Sequence, residues 1–155
     1  MTLRLIALGH RMPAWVAAGY GEYAKRLPRD CALELVELKP EPRDRGKTVA
    51  QMLGAEAARI HAAAANCRIV ALDERGQMWT TRQLADNLQQ WRKEDAHVAF
   101  VIGSADGLDP ALVNTAAARV ALSAMTLPHG LVRVLVAEQL YRATSLLAGH
   151  PYHRA

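Results

Sequence analysis

Aromatic residues are scarce in this sequence: Phe, Trp and Tyr together make up 5% of its 155 residues. Half of the chain is nevertheless apolar, so Ala, Leu and Val must supply most of the core. Charged residues account for 22% of the chain, a share typical of globular proteins and not of disordered ones. The length fits one ordinary domain, and we expect a single domain over residues 1–155.

Cysteine is also rare, and the two that occur, Cys31 and Cys67, stand far apart without a CxxC pair. This spacing gives no support to a disulfide framework or a zinc ribbon. None of the six histidines falls in an HExxH pattern, so we expect no metal. The apolar run Leu3–Leu8 is too short for a signal peptide or a membrane span, which predicts a cytoplasmic protein without a membrane partner.

The sequence lacks the common nucleotide and hydrolase motifs as well. Gly103 and Gly107 stand four apart and do not form GxGxxG, and no lysine follows them as in a phosphate-binding loop. A GxSxG motif is also missing. Classical NAD binding, ATP hydrolysis and serine hydrolase chemistry therefore find no support.

The positive net charge gives limited support to a polyanionic binding partner. The formal net charge is +4, and a basic balance favours nucleic acid or anionic membrane surfaces. Arg43, Arg45 and Lys47 lie together in the predicted loop Pro40–Lys47. Their spacing fits a solvated loop and a phosphate-contacting loop equally well.

Short apolar segments alternate with helical patterns along the whole chain. The predicted strands are Leu3–Leu8, Leu33–Leu38, Arg68–Leu72, His97–Ile102 and Val120–Leu122. The predicted helices open at Pro13, at the capping-box residues Thr48 and Thr80, at the cap Asp109 before Pro110, and at Leu131 for Leu131–Leu147. A polar turn is expected at Asp73–Gly76. This alternation predicts parallel βαβ units in a three-layer α/β sandwich.

Ligands of such folds bind at the carboxyl ends of the strands, so the loops after Leu72, Ile102 and Leu122 are the places to look for chemistry. Glycines such as Gly103 would let a ligand approach the backbone, or would simply form a turn. On the last helix, Glu138 and Arg142 stand four apart. Their spacing alone predicts an exposed ion pair, while a contact between Arg142 and RNA is the functional alternative.

Several long motifs together resemble one family. They are LSAMTLPHGLVRVLVAEQLYRA over Leu122–Ala143, the ending HPYHR, the opening LIALGHRMPAWVAAGYGEYAKRLPRD, and the pieces RIVALDERG and VIGSADGL. The combination spans the whole chain and resembles the bacterial ribosomal RNA large subunit methyltransferase H family, which belongs to the SPOUT class.

The resemblance implies a parallel sheet whose C-terminal segment is threaded into a trefoil knot. It also implies a homodimer with a site completed across the interface. S-adenosylmethionine would be the cofactor, held by residues matching the family pattern: Leu72, Gly103, Leu122, Ser123, Ala124, Met125, Thr126 and Leu127. We expect His129, after Pro128, to contribute to binding or to the shape of this loop.

The implied reaction is methylation at N3 of a pseudouridine in a stem-loop of 23S rRNA, on the assembled 70S ribosome. The family match places the catalytic group in the C-terminal tail, Gly149–Ala155, and in the last helix. Its members are His153, Tyr152, Arg142, Glu138 and Arg154. His153 is the candidate for proton transfer, because imidazole titrates near neutrality. Arg142 and Arg154 are candidates to hold RNA, with Glu138 orienting Arg142.

The chain departs from the family pattern at a few positions. Ser104 replaces a second Gly, Ala105 and Asp106 replace a Pro-Glu pair, Gly130 replaces a Pro, and Ala155 replaces an acidic residue. These changes bear on the shape of the cofactor loop. Two other functions remain open, a ribosome-binding factor without activity and a tRNA methyltransferase of the same class. The intact LSAMTLPH loop argues against the first, and the small size of the chain argues against the second.

Overall fold

The computed structural model describes residues 1–9, 11–43 and 46–154, and for residues 153 and 154 it describes the backbone only. Within these ranges five strands form one sheet: Thr2–Leu8 (β1), Leu33–Leu38 (β2), Arg68–Met78 (β3), His97–Ile102 (β4) and Ala118–Ala121 (β5). The helices are Ala14–Ala24 (α1), Val49–Ala63 (α2), Thr81–Lys93 (α3), Pro110–Thr115 (α4) and His129–Leu147 (α5). Short 3-10 helices cover Arg29–Cys31 and Pro151–Arg154.

All strand pairs are parallel, and the strand order is β2-β1-β4-β3-β5. Because successive side chains of a strand point to opposite faces, β1 contributes side chains to the apolar layers on both sides of the sheet. Leu3 and Leu5 belong to the core on the side of α3 and α5, while Ile6 and Leu8 belong to the core on the side of α2 and α4. Helices on both faces confirm the predicted three-layer α/β sandwich.

The two predicted capping boxes are confirmed. The Thr48 hydroxyl accepts a hydrogen bond from the Gln51 amide at 3.1 Å, and the Gln51 side chain returns one from the Thr48 amide at 2.9 Å. Thr80 and Gln83 form the same pair of bonds ahead of α3. Asp109 precedes Pro110 as expected, but its side chain makes no capping bond, so the prediction of a side-chain cap is wrong.

The polar segment 73–76 does not end the third strand, so the prediction of a turn that closes β3 is wrong. Leu72 and Gln77 both lie opposite Val120, so residues 73–76 form an excursion inside a strand that continues to Met78. A Cβ at position 76 would lie 2.7 Å from the Arg119 carbonyl and from the Val120 amide. Glycine at this position lets β3 come back to β5 after the excursion.

Other boundaries shift by one to four residues. The fifth strand covers Ala118–Ala121, so Leu122 lies just beyond it, and α5 begins at His129 instead of Leu131. The first helix ends at Ala24, before Pro28. No helix among the described residues is long and apolar enough to cross a membrane.

We predict that Gly76→Ala destabilises the fold by about 1–3 kcal/mol, because the new methyl group meets backbone atoms that cannot move aside cheaply. For a chain of this size that lowers the thermal unfolding midpoint by about 2–4 °C per kcal/mol. Gly54→Ala is the matched control, since nothing lies within 4 Å of a Cβ at this exposed position in α2. It should stabilise the helix by about 0.5–1 kcal/mol. A wild-type midpoint for Gly76→Ala would show that β3 and β5 do not approach this closely.

Candidate active site

A cleft of about 530 Å³ opens at the carboxyl ends of β3, β4 and β5. Pockets of this volume commonly hold a small-molecule ligand or cofactor. Its walls come from the three loops that sequence analysis singled out, together with the start of α5. The residues that line it include Leu72, Asp73, Glu74, Arg75, Ile102, Gly103, Ser104, Asp106, Arg119, Val120, Leu122, Ser123, Met125, Thr126, Leu127, His129 and Val132.

The loop after β4 closes on itself. The Gly107 amide donates to the Ser104 carbonyl at 2.9 Å, and a Cβ at position 103 would lie 2.5 Å from the Gly107 carbonyl oxygen. Gly107 adopts a positive φ of 84°. Gly103 was predicted either to let a ligand approach the backbone or to form a turn. The turn alone explains the glycine, because a side chain at this position would push the loop open.

Polar contacts tie the first loop to β5 and to the third loop. Arg119 of β5 donates to the Asp73 carboxylate through Nε at 2.8 Å and Nη2 at 2.7 Å. The Thr126 hydroxyl donates to Glu74 at 2.8 Å, which links the third loop to the first. In the third loop the Ser123 hydroxyl accepts from the Met125 amide at 2.9 Å. These bonds fix the first and third loops relative to each other and to β5.

Seven of the eight predicted cofactor residues line this cleft, and Ala124 is the exception, because its exposed position is not part of the walls. Met125 is 78% exposed and lines the cleft from the third loop. His129, at the start of α5, also faces the cleft. Burial and the nearby Arg133 guanidinium lower the pKa of its imidazole, which favours the neutral form.

The predicted catalytic residues form a second group. A single Glu138 oxygen accepts from Arg142 Nε at 2.8 Å and Nη2 at 2.6 Å, and from the Tyr152 hydroxyl at 3.1 Å. The Arg142 guanidinium also lies 4.7 Å from the centre of the Tyr152 ring. The side chains of Arg142 and Glu138 are only 21% and 13% exposed, so the exposed ion pair expected from spacing is wrong. The side chains of His153 and Arg154 lie outside the described residues.

The tail is held onto α5 by aromatic contacts. The rings of Tyr141 and Tyr152 lie 4.5 Å apart, and Arg26 of the turn after α1 lies 5.6 Å from the centre of the Tyr141 ring. Burial, followed by the charge of Glu138, raises the pKa of the Tyr152 hydroxyl. Tyr152 is therefore a donor to Glu138 near neutral pH and not a proton acceptor. Sequence reasoning missed Arg26: it lies within the opening motif of the family resemblance, but no role was assigned to it.

The structure does not bring the two groups together within one chain. His129 lies at the cleft and Arg142 follows it by thirteen positions on the same helix, which places them about 20 Å apart at 1.5 Å per residue. The cofactor residues and the tail residues thus occupy opposite ends of α5.

Comparison with known proteins decides the family. A family described as "Predicted SPOUT methyltransferase" matches residues 1–153. The chain belongs to the SPOUT methyltransferase family. Proteins called ribosomal RNA large subunit methyltransferase H are 60% identical in Nitrosospira multiformis and 54% identical in Cupriavidus metallidurans, each over 100% of both chains.

Solved structures agree on the fold. A probable methyltransferase from Bordetella pertussis superposes with a TM-score of 0.59 at 19% identity, covering 91% of this chain and 95% of the other. A probable methylase family protein from Haemophilus influenzae gives a TM-score of 0.61 at 16% identity, covering 95% of this chain and 66% of the other. The expected fold, a parallel α/β sandwich of the knotted SPOUT type, is confirmed. Among the described residues, no cluster of His, Cys, Asp and Glu side chains is arranged to hold a metal ion.

The lowered pKa of His129 makes the stability of this SPOUT methyltransferase depend on pH. Its folded-state pKa lies below the ordinary 6.5, so the unfolded chain binds the proton more readily. The contribution of neutral His129 to the free energy of unfolding is fully present above pH 6.5, and it is lost as the pH falls through the folded-state pKa. We expect the thermal midpoint of the wild type to fall more between pH 7 and pH 5 than that of His129→Gln. Measurements at pH 8 supply the baseline, and parallel curves for the two proteins would contradict the prediction.

Proposed function

We propose that this chain, acting as one domain, uses S-adenosylmethionine to methylate N3 of a pseudouridine in 23S rRNA, on the assembled 70S ribosome in the cytoplasm. The observation that carries the proposal is a ligand-sized cleft at the carboxyl edge of the sheet, in a chain 60% identical over its full length to a protein called ribosomal RNA large subunit methyltransferase H. The family supplies the reaction type, and the cleft supplies a place for the methyl donor.

The walls of the cleft suit S-adenosylmethionine chemically. Leu72, Val120 and Leu127 offer an apolar surface to an adenine ring, and the loop backbone offers polar groups for its edge. The carboxylate of Glu74, which in the described part of the chain binds only the neutral Thr126 hydroxyl, suits a positive charge of the cofactor. When bound, the cofactor supplies an electrophilic methyl group, so the remaining work of the protein is positioning and removal of a proton.

Glu138 is suited to orienting Arg142. It binds Nε and Nη2 along one edge of the guanidinium, while Tyr152 covers a face of the group. Among the described residues no hydrogen-bond partner is found for Nη1 of Arg142, which leaves that nitrogen for a phosphate or a base of RNA. Glu138 itself is fully engaged, because its other oxygen accepts from Gln139 at 2.9 Å.

Methylation at N3 forms a bond between carbon and N3 while the bond between carbon and sulfur breaks, and the N3 proton must leave to a base or to water. Both carboxylate oxygens of Glu138 already accept hydrogen bonds, from Arg142, Tyr152 and Gln139, so neither is free to face N3. Tyr152 is excluded by its raised pKa. Of the predicted catalytic group, His153 therefore stays the proposed proton acceptor, with Arg154 beside it as an RNA contact.

A homodimer would unite the two groups of residues. A rigid helix holds the cleft and Arg142 about 20 Å apart within one chain. In α1 only Val16 is buried and only Glu22 carries a charge, and Trp15 is 56% exposed. An apolar helix this poorly covered is a surface for another protein chain. We infer that a second copy covers α1 and brings its own tail to the cleft.

Mixed dimers test this arrangement. Thr126→Trp blocks the cleft from an exposed position on its wall, and Arg142→Met removes the RNA contact at the tail. Each variant alone should be inactive on 70S ribosomes. Co-expressed, they should recover roughly one quarter of wild-type activity, because half of the dimers are mixed and each mixed dimer has one intact site.

Distinct affinity tags on the two variants would confirm that mixed dimers form, and thermal midpoints near wild type would confirm that both variants fold. Purified mixed dimers without methyl transfer would contradict a shared site.

The chemistry itself is tested by incubating the wild type with 70S ribosomes and S-adenosylmethionine, followed by mass spectrometry of 23S fragments. We expect one added methyl group on a pseudouridine and no transfer to tRNA. Calorimetric titration with S-adenosylmethionine provides the companion measurement. Ribosome binding without cofactor binding would move the chain to the class of non-enzymatic ribosome-binding factors.

A further inference from the structure

A buried charge network lies behind the wall of the cleft. Glu56 of α2 is 2% exposed, and its carboxylate accepts from the Ser104 hydroxyl at 2.8 Å, from the Glu41 amide at 2.9 Å and from Arg43 Nη1 at 3.1 Å. A carboxylate this deeply buried is costly unless it is paired and hydrogen-bonded, and here it is both. Neither the family motifs nor the proposed mechanism assigns a role to Glu56.

Arg43 is the hub of the network. Its Nε donates to Asp106 at 2.8 Å, its Nη2 to the Ser104 hydroxyl at 2.7 Å, and its Nη1 to the Glu41 carbonyl at 2.6 Å as well as to Glu56. The planar guanidinium thus binds the loop after β4 through Ser104 and Asp106, and it binds α2 through Glu56. A lysine has no fork with which to do this.

The loop that carries Arg43 is itself anchored. The Glu41 carboxylate binds Lys47 at 2.5 Å and also binds Arg59 of α2. These two cations lower the pKa of Glu41. The described part of the basic cluster in residues 40–47 is therefore committed to internal ion pairs, which favours a structural role over a phosphate-contacting one.

Ser104 is where this network meets the cleft. It stands where the resembling family usually carries glycine, and its hydroxyl both donates to Glu56 and accepts from Arg43. Ser104 is 5% exposed, and its backbone lies in the cleft wall between Gly103 and Asp106. A glycine would lose both bonds and would loosen the backbone of the loop.

We propose that Arg43 and Glu56 are positioning residues that hold the loop 103–108 in its ligand-receiving shape, with Ser104 and Asp106 as the points of attachment. The consequence for cofactor affinity rests on the proposed function. The consequence for loop order does not, because it follows from the contacts of this chain alone.

The test combines hydrogen exchange of residues 103–108 with S-adenosylmethionine titration. Ser104→Ala removes the hydroxyl without adding glycine flexibility, and it leaves the Arg43–Glu56 ion pair intact. Arg43→Met removes the hub. We expect faster exchange at the Gly107 amide in both variants and a cofactor Kd about tenfold higher. In the double variant the loss should be smaller than the product of the two single losses, because the residues act through one network.

Arg92→Met is the matched control. Arg92 has a similarly exposed side chain and also bridges two elements through Asp30 and Cys31, but it lies near the amino ends of the strands, away from the cleft. It should leave loop exchange and cofactor Kd at wild-type values. In Ser104→Ala we expect the KM for the cofactor to rise while kcat on 70S ribosomes stays near the wild-type value. This pattern would distinguish a positioning role from a loss of global stability.

Unchanged exchange and unchanged Kd in both Ser104→Ala and Arg43→Met would overturn the inference. The same loss in Arg92→Met would overturn it too, because the effect would then be one of global stability. Faster loop exchange in the two variants, found together with a wild type that does not bind S-adenosylmethionine, would support the positioning role and refute the proposed function.

Discussion

The close approach of backbones at the carboxyl edge of the sheet is the constraint on which the rest of this structure depends. Gly76 lets β3 return to β5 after a four-residue excursion, and Gly103 lets the loop after β4 fold back on Gly107. Without these approaches the three loops would not meet around one cleft. The excursion also carries Asp73 and Glu74 to the positions where they bind β5 and the third loop, respectively. The shape of the cleft is thus fixed by backbone sterics first and by polar contacts second.

Helix α5 imposes the second constraint, because it is both the wall of the cleft and the support of the tail. A helix is rigid over this length, so its two ends cannot be brought to one substrate by any local rearrangement. Glu138, Arg142 and Tyr152 form a preorganised arrangement at the far end, because Glu138 binds Nε and Nη2 of Arg142 and the Tyr152 hydroxyl within the chain. Preorganisation of this kind suits a group that is presented to a different molecule, and the poorly covered α1 beside it offers the surface for that contact.

The sequence predicted the order of helices and strands well, because buried parallel strands and capping boxes leave strong local patterns. It failed where tertiary contacts override those patterns. The polar segment 73–76 has the composition of a turn, yet its ends are held by pairing with β5. Glu138 and Arg142 have the spacing of a surface pair, yet the tail folds over them. The contact between Arg43 and Ser104 joins positions 61 residues apart, which no local spacing can reveal.

This long-range contact also explains how the loop after β4 tolerates a departure from the family pattern. Glycine in a tight loop gives freedom to the backbone but contributes no side-chain bond. Serine restricts the backbone and adds a hydroxyl that donates to Glu56 and accepts from Arg43. Asp106, in place of a glutamate, stays within reach of the same guanidinium at 2.8 Å. Ser104 and Asp106 therefore depend on Arg43 and Glu56 for their contacts, so residues outside the cleft wall add to the order that the glycine turn of this loop provides.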